Sequence, residues 1–349
     1  MGRLPMNTQS LIAIAAHLVA GDKGLLAMDE SIATCNKRFA KAGIPQTEEA
    51  RRAYRELLIT TSGLGKAISG AILFDETIRQ KTADRRPFID LLIREGIVPG
   101  IKVDIGAEQL ALHPDEKVTG GLDGLRSRLA EYFEMGARFA KWRAVIALGN
   151  GMPSLACIEV NAQALARYAA LCQEEGLVPV VEPEVLMRGE HDIERCGEVT
   201  EEVLRVVFAQ LELQGVLLEG IILKPNMVLP GLSSRSQKIA DDVADATVKC
   251  LLRSVPAAVP GIAFLSGGQS GELASARLNA INIRFKGTRA PWALAFSFGR
   301  AIQQPALQIW HGEEANVVVA QQALLHRARC NQAARRGEYD AATESAEAA

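Results

Sequence analysis

Eight short apolar runs, each ending in polar residues, recur along this chain and constrain its fold more than any other feature. They are "GLLAMDE" (24–30), "ISGAILF" (68–74), "VPGIKVD" (98–104), "FAKWRAVI" (139–146), "LVPVVEPEV" (177–185), "GIILKPN" (220–226), "GIAFLSGG" (261–268) and "WALAFSFG" (292–299). Runs this short and this apolar read as strands buried on both faces, the pattern of a parallel sheet. Most are separated by helical segments with charged faces, such as 47–61, 121–137, 161–176 and 192–215. Thr47 followed by Glu48 and Glu49 suits a helix start, because Thr caps and acids favour the first turn. Eight such units in 349 residues predict an α/β protein with a single (β/α)8 barrel. An open doubly wound sheet fits less well, since no G-x-G-x-x-G opens the first strand–helix turn.

No linker interrupts the pattern, so residues 1–339 read as one barrel that includes an N-terminal helix. Residues 340–349, small and acidic, read as a mobile tail with little to bury. "LIAIAAHLVA" (11–20) is too short for a bilayer and lacks a cleavage signature. "MGRLPM" has Met at the sixth position, where a myristoylation signal needs Ser or Thr. Net charge is −2, so nothing overall recruits nucleic acid or an anionic membrane. The six cysteines lie far apart with no C-x-x-C pair, as expected of free thiols in a reducing cytoplasm. The histidines show no zinc-site spacing, and no metal site is expected.

In a parallel barrel, function gathers at the C-terminal ends of the strands. The polar residues fall there: Asp29 and Glu30 on the first strand, Lys102 and Asp104 on the third, Lys141 and Arg143 on the fourth. Glu182 and Glu184 follow on the fifth, Lys224 on the sixth, Ser266, Gly267 and Gly268 on the seventh, Ser297 and Arg300 on the eighth. Side chains alternate along a strand, so Lys141 shares a face with Arg143, and Glu182 with Glu184, while Trp142 and Pro183 face the helices. Taken singly, each lysine reads as a solvated rim residue, each glutamate as half of a structural ion pair, and Asp29 as a helix cap. Taken together, they form a cluster that a purely structural barrel would not tolerate.

Lysine is protonated at neutral pH unless burial or a neighbouring cation favours the free amine. Lys224 ends an apolar strand, and Lys141 can reach toward it. A free amine there attacks a ketone and forms an iminium, which is already an electron sink, so no metal and no cofactor is expected. Glu182 and Glu184 suit the proton transfers, and Asp29 the hydroxyl whose oxygen becomes an aldehyde. Ser266, backbone N–H groups of the Gly-rich turn, Gly299 and Arg300 lie where barrels bind phosphate, and Arg38 is a candidate for a second phosphate. A phosphorylated ketose follows.

"AMDES", "AKWRAV", "VPVVEPEV", "GIILKPNMV" and "FLSGGQS" together resemble class I fructose-bisphosphate aldolases over roughly residues 8 to 340. The resemblance implies metal-independent, reversible cleavage of fructose 1,6-bisphosphate through a Schiff base on Lys224. It implies that Glu182 shuttles protons, Asp29 handles the C4 hydroxyl, Lys141 supports the carbinolamine and Glu184 fixes the network. It puts Lys102, Arg143, Arg38 and Ser31 on substrate contacts, and Ser266, Gly267, Gly268, Ser297, Gly299 and Arg300 at or beside phosphate contacts. It further implies small phosphorylated sugars as partners, a homotetramer and a cytoplasmic setting. Animal members end in a catalytic tyrosine, whereas this chain ends "ESAEAA" and its nearest tyrosine is Tyr339. "DESIATCNKR", with Thr34 where the muscle branch has serine, is closer to the plastid and bacterial branch. That branch adds sedoheptulose 1,7-bisphosphate as a second expected substrate. Rival readings are a transaldolase-like lyase, a pyridoxal phosphate barrel and a non-catalytic binding barrel.

Overall fold

The computed structural model describes residues 7–149, 151–285 and 290–345. The sequence readings for residues 1–6 and 346–349 lie outside them. The described residues form ten strands: β1 (Gly24–Ala27), β2 (Ile68–Leu73), β3 (Val98–Lys102), β4 (Gly106–Gln109) and β5 (Lys117–Gly120), then β6 (Phe139–Ile146), β7 (Val178–Val185), β8 (Ile222–Leu223), β9 (Gly261–Phe264) and β10 (Ala293–Phe298). Eight of them close into a parallel barrel in the order β1-β10-β9-β8-β7-β6-β3-β2. This is the (β/α)8 architecture expected from the eight apolar runs, and every barrel strand falls inside its run.

The remaining two strands, β4 and β5, form an antiparallel hairpin between β3 and β6. Sequence reading gave no strands there, because "GAEQLALHPDEKVTG" is polar and largely exposed and offers no apolar run. Tertiary contacts supply what the pattern lacks: the Asn161 side chain accepts from Thr119 N–H at 3.2 Å and donates to the Lys117 carbonyl at 2.8 Å.

Two apolar clusters divide the core. One fills the barrel, with Leu25, Ala27, Ile72, Phe139, Val178, Val180, Ile222, Ala263 and Ala295 pointing inward. Helix Thr8–Leu18 plugs its N-terminal end with Leu11, Ala15 and Leu18. Ser69 locks that plug by donating to the Leu18 carbonyl at 2.6 Å. The inner layer leaves no room for a side chain at Gly100, where a Cβ would lie 2.3 Å from the Phe139 ring. The larger cluster lies between the barrel and the outer helices. Trp142, facing outward as its register demands, packs against Tyr168 of helix Leu155–Glu174 with ring centroids 5.6 Å apart.

Inside the barrel the period of two continues past the apolar layer. Leu25 and Ala27 put Asp29 on the inner face, Phe139 puts Lys141 and Arg143 there, Val178 and Val180 put Glu182 and Glu184 there, and Ile222 puts Lys224 there. Each of these four strands is thus apolar at the bottom and charged at the top on the same face.

The tail differs from its sequence reading. Ala341–Ser345 forms a short helix, Glu344 takes both oxygens to Arg327 at 2.5 Å, and Tyr339 donates to Glu344 at 2.5 Å. Arg327 is buried and needs an anion, which the tail provides. No helix among the described residues is long and apolar enough to cross a membrane.

Candidate active site at the barrel mouth

The local sequence around Lys224 explains its placement. Ile222 and Leu223 are the last ladder residues, and Lys224 N–H still donates to the Val181 carbonyl at 2.8 Å. Pro225 has no N–H and ends the strand. Asn226, fully buried, accepts from Val185 N–H at 3.0 Å and so fastens the strand end to β7. Lys224 is left pointing into the mouth with 3% of its surface exposed.

There it meets Glu182. Lys224 Nζ lies 3.3 Å from Glu182 Oε1, and Lys141 Nζ lies 3.4 Å from Oε2 of the same carboxylate. Lys141 also contacts Asp29 at 2.6 Å and Asp104 at 4.0 Å. Burial alone would lower the Lys141 pKa, but Asp29, Glu182 and Asp104 outweigh it and hold the ammonium cationic. Burial likewise opposes ionisation of Asp29, yet Lys141, Lys224 and Lys102 keep its pKa well below the usual carboxylate range. One carboxylate therefore separates two lysines, one of them fixed as a cation.

A second layer surrounds this centre. Lys102 donates to Asp104 Oδ1 at 2.5 Å, and Asp104 Oδ2 accepts from Arg143 N–H at 3.2 Å. Arg143 Nε donates to Glu184 at 2.5 Å, with much of the guanidinium still exposed. Ser297 is buried beneath the mouth, its Oγ without a hydrogen-bond partner among the described residues.

Opposite lies the turn after β9. Gly267 (φ 57°) and Gly268 (φ 93°) are both left-handed, a backbone conformation that favours glycine. Ser266 precedes them, and helix Gly271–Phe285 follows. Gly299 lies so close to β1 that a Cβ would be 3.1 Å from the Ala27 carbonyl, and Arg300 begins helix Arg300–Trp310.

These groups line one cavity of about 710 Å³ at the C-terminal end of the barrel, well within the range of small-molecule sites. Asp29, Ser31, Arg38, Lys102, Lys141, Arg143, Glu182, Glu184 and Lys224 all line it, as do Ser266, Gly267, Ser297, Gly299 and Arg300. Gly268 lines the adjoining hollow, which shares Arg38 and Arg300 with the mouth. Asp29 caps no helix: Ser31 does, accepting from Thr34 N–H at 3.3 Å. Arg38 is already engaged by Glu30 at 2.5 Å and by Gln303 at 3.3 Å. Glu30 also lines the cavity and holds Arg55 at 2.6 Å.

Asp104 was expected at the mouth but without a role, and Gln303 was not among the expected site residues. The K-x-D spacing from Lys102 carried the signal for Asp104. Gln303 had none, since a glutamine on a helix becomes informative only when its amide is seen to donate to the Ala27 carbonyl at 2.5 Å and to accept from Tyr54 at 3.0 Å. Tyr339 does not line the mouth; its hydroxyl is bound to Glu344. His326, Cys330 and Glu344 bring ligand atoms within 4.8 Å of one another, but Arg327 and Tyr339 already occupy the Glu344 oxygens. Glu344 is instead the ion-pair partner of Arg327 that docks the tail.

The acid stability of the mouth follows from Asp29. Its folded pKa is depressed, so the stability it contributes is complete above its unfolded pKa of roughly 4 and is lost as pH falls through the folded value. Asp29→Asn is expected to flatten the fall of Tm between about pH 4 and pH 3. Parallel Tm profiles for variant and parent would show that the carboxylate contributes no such linkage.

The comparisons agree with this geometry. A family model described as fructose-bisphosphate aldolase class-I matches residues 10–349. A probable fructose-bisphosphate aldolase class 1 of Xanthomonas axonopodis pv. citri is 55% identical over 335 residues, covering 96% of this chain and 99% of the relative. The cytosolic fructose-bisphosphate aldolase 4 of Arabidopsis thaliana is 52% identical, covering 96% and 84%. The fructose-bisphosphate aldolase of Plasmodium falciparum, solved in complex with TRAP and a small-molecule inhibitor, superposes with a TM-score of 0.94 at 48% identity, covering 97% of this chain and 98% of that one. With a closed barrel, a lysine buried at its mouth and relatives of this identity over nearly the full length, the chain belongs to the class I fructose-bisphosphate aldolase family.

Proposed function

We propose that this protein reversibly cleaves fructose 1,6-bisphosphate to dihydroxyacetone phosphate and glyceraldehyde 3-phosphate through a Schiff base on Lys224. The observation that carries the reading is the Lys224–Glu182–Lys141 arrangement: a buried amine whose nearest ionisable neighbour is a carboxylate already shared with a second lysine. Glu182 accepts the proton that Lys224 must lose before attacking the C2 carbonyl. It returns a proton to the carbinolamine oxygen, which leaves as water and gives the iminium. Asp29, ionised at neutral pH, takes the proton of the C4 hydroxyl. The C3–C4 bond then breaks, its electrons move into the iminium to form an enamine, and the aldehyde departs. Protonation at C3 and hydrolysis release the second product.

Lys141 stabilises the negative charge that passes through Glu182 and Asp29, and Glu184 orients Arg143 at the rim. Ser266, the Gly267–Gly268 turn, Gly299 and Arg300 hold one phosphate by backbone N–H groups and a guanidinium. Lys102 and Ser31 serve the other end of the substrate, while Arg38, held by Glu30 and Gln303, adds positive charge to the hollow beside Gly268 and Arg300. The iminium supplies the electron sink, so activity is expected to survive chelation, unlike that of a metal-dependent aldolase. The same two-phosphate arrangement extends to sedoheptulose 1,7-bisphosphate.

Borohydride reduction in the presence of dihydroxyacetone phosphate, followed by peptide mapping, tests the assignment. A stable adduct on Lys224 is expected, and a label confined to Lys102 or Lys141 would move the nucleophile elsewhere. Arg300→Ala is expected to raise KM about tenfold or more through loss of a charge-assisted phosphate contact, with little change in Tm. An unchanged KM with a lower Tm would make Arg300 structural. Residues 1–339 act as one barrel domain in the cytoplasm, and association into a homotetramer is supported by exposed apolar residues such as Leu112 and Leu213. A solution mass near four times the 37.6 kDa chain checks the last point.

A further inference from the structure

Arg277 is 4% exposed and, among the described residues, has no carboxylate partner. A guanidinium buried without a counter-ion is costly and needs a reason. Burial lowers its pKa, with no acid to offset the effect. Its best hydrogen bond goes to Gln269 Oε1 at 2.8 Å; a weaker one reaches the Lys238 carbonyl at 3.5 Å, and Nε has no partner.

The bond to Gln269 has a consequence for the phosphate turn. Arginine only donates, so it forces the Gln269 amide to present its oxygen to Arg277 and its nitrogen to the other side. That nitrogen donates to the Ser266 carbonyl at 2.9 Å, and the Gln269 backbone N–H donates to the same carbonyl at 3.0 Å. It also faces Met227 Sδ at 3.9 Å, three residues beyond Lys224. Gln269 therefore closes the turn that contains Gly267 and Gly268 and ties it to the strand end that carries Lys224. Without Arg277 the amide keeps only its bond to the Ser266 carbonyl and its contact with Met227, so the side chain that closes the turn is held from one side.

We propose that Arg277 is a positioning residue for phosphate binding: through Gln269 it fixes the Ser266–Gly268 turn and adds an uncompensated positive charge behind it. The proposal rests on the phosphate assignment above. The test uses the full-length enzyme and compares the parent with Arg277→Met, Gln269→Ala, the double variant and Arg300→Ala. The measurements are KM for fructose 1,6-bisphosphate, kcat, the inhibition constant of inorganic phosphate, and borohydride trapping of unphosphorylated dihydroxyacetone on Lys224.

Arg277→Met is expected to raise KM and the phosphate inhibition constant together by about tenfold, the scale of one charge-assisted contact, with kcat within about threefold. Trapping of unphosphorylated dihydroxyacetone should proceed at the parental rate. Gln269→Ala should give a similar rise, and the double variant should be no worse than the poorer single, because both residues act through one turn. If Arg277→Met does not fold, Gln269→Ala carries the same comparison of KM with trapping.

Two results overturn the proposal. Arg300→Ala shifting the phosphate constant while Arg277→Met and Gln269→Ala leave it unchanged removes the positioning role and spares the phosphate assignment. If none of the three shifts it, the phosphate assignment itself falls.

Discussion

Lys224→Met is expected to lower turnover of fructose 1,6-bisphosphate by on the order of 10⁴-fold or more, since a covalent route loses its nucleophile outright. The replacement has nearly the same length and is apolar, and the side chain ends a strand of isoleucine and leucine, so the barrel should accept it. Glu182 keeps its contact with Lys141 at 3.4 Å in the variant and is not stranded as an unpaired charge. The change in stability is therefore expected to stay within about 2 kcal/mol, below the cost of breaking an isolated buried pair. A steady-state cleavage assay beside thermal unfolding separates the two effects. Turnover within tenfold of the parent, in a folded variant, would end the Schiff-base reading.

Glu182→Gln should lower kcat by about 10²- to 10⁴-fold, the range for removing a positioned acid–base group. The amide fills the same space, but it cannot take the proton from Lys224 and cannot return one to the carbinolamine. Formation of the iminium should become the slow step, so borohydride trapping by dihydroxyacetone phosphate should slow in proportion to kcat. If trapping remains fast while turnover falls, proton transfer at that step belongs to another group, with Glu184 the next candidate. Loss of Glu182 also removes the charge between two lysines. Lys141 retains Asp29 at 2.6 Å, so the variant should remain folded.

The barrel strands could be read from sequence because their signal is local. A run such as "LVPVVEPEV" is apolar on both faces because helices cover one side and the barrel interior the other. The same run shows where the inner face changes character, because Val178, Val180, Glu182 and Glu184 share one parity. That parity places the charged residues on one end of the barrel without any knowledge of their partners. The hairpin β4–β5 lacked such a signal: its residues are polar, and Asn161, far along the chain, stabilises it. Tail docking was equally hidden, since Glu344 acquires its role only when Arg327 is buried beside it.

Arg38 illustrates the limit within the site itself. Its position beyond the first strand made it a candidate phosphate ligand, but the chain gives no hint that Glu30 holds it. Asp29 and Glu30 are adjacent in sequence, lie beyond the last residue of β1 and take different partners. One carboxylate faces two lysines across the mouth, and its neighbour anchors Arg38 and Arg55.

The amino-acid pattern alone settled the eight barrel strands and their order, the face on which the charged residues of β6 and β7 stand, and the family to which the chain is similar. These rest on a period of two residues and on where an apolar run stops, both properties of neighbours along the chain. Tertiary structure decided which groups meet: that Glu182 lies between Lys224 and Lys141, that Glu30 occupies Arg38, and that Arg277 reaches Gln269. Those contacts join side chains from different strands and helices, and their distances are set by barrel closure and register, which no local pattern specifies.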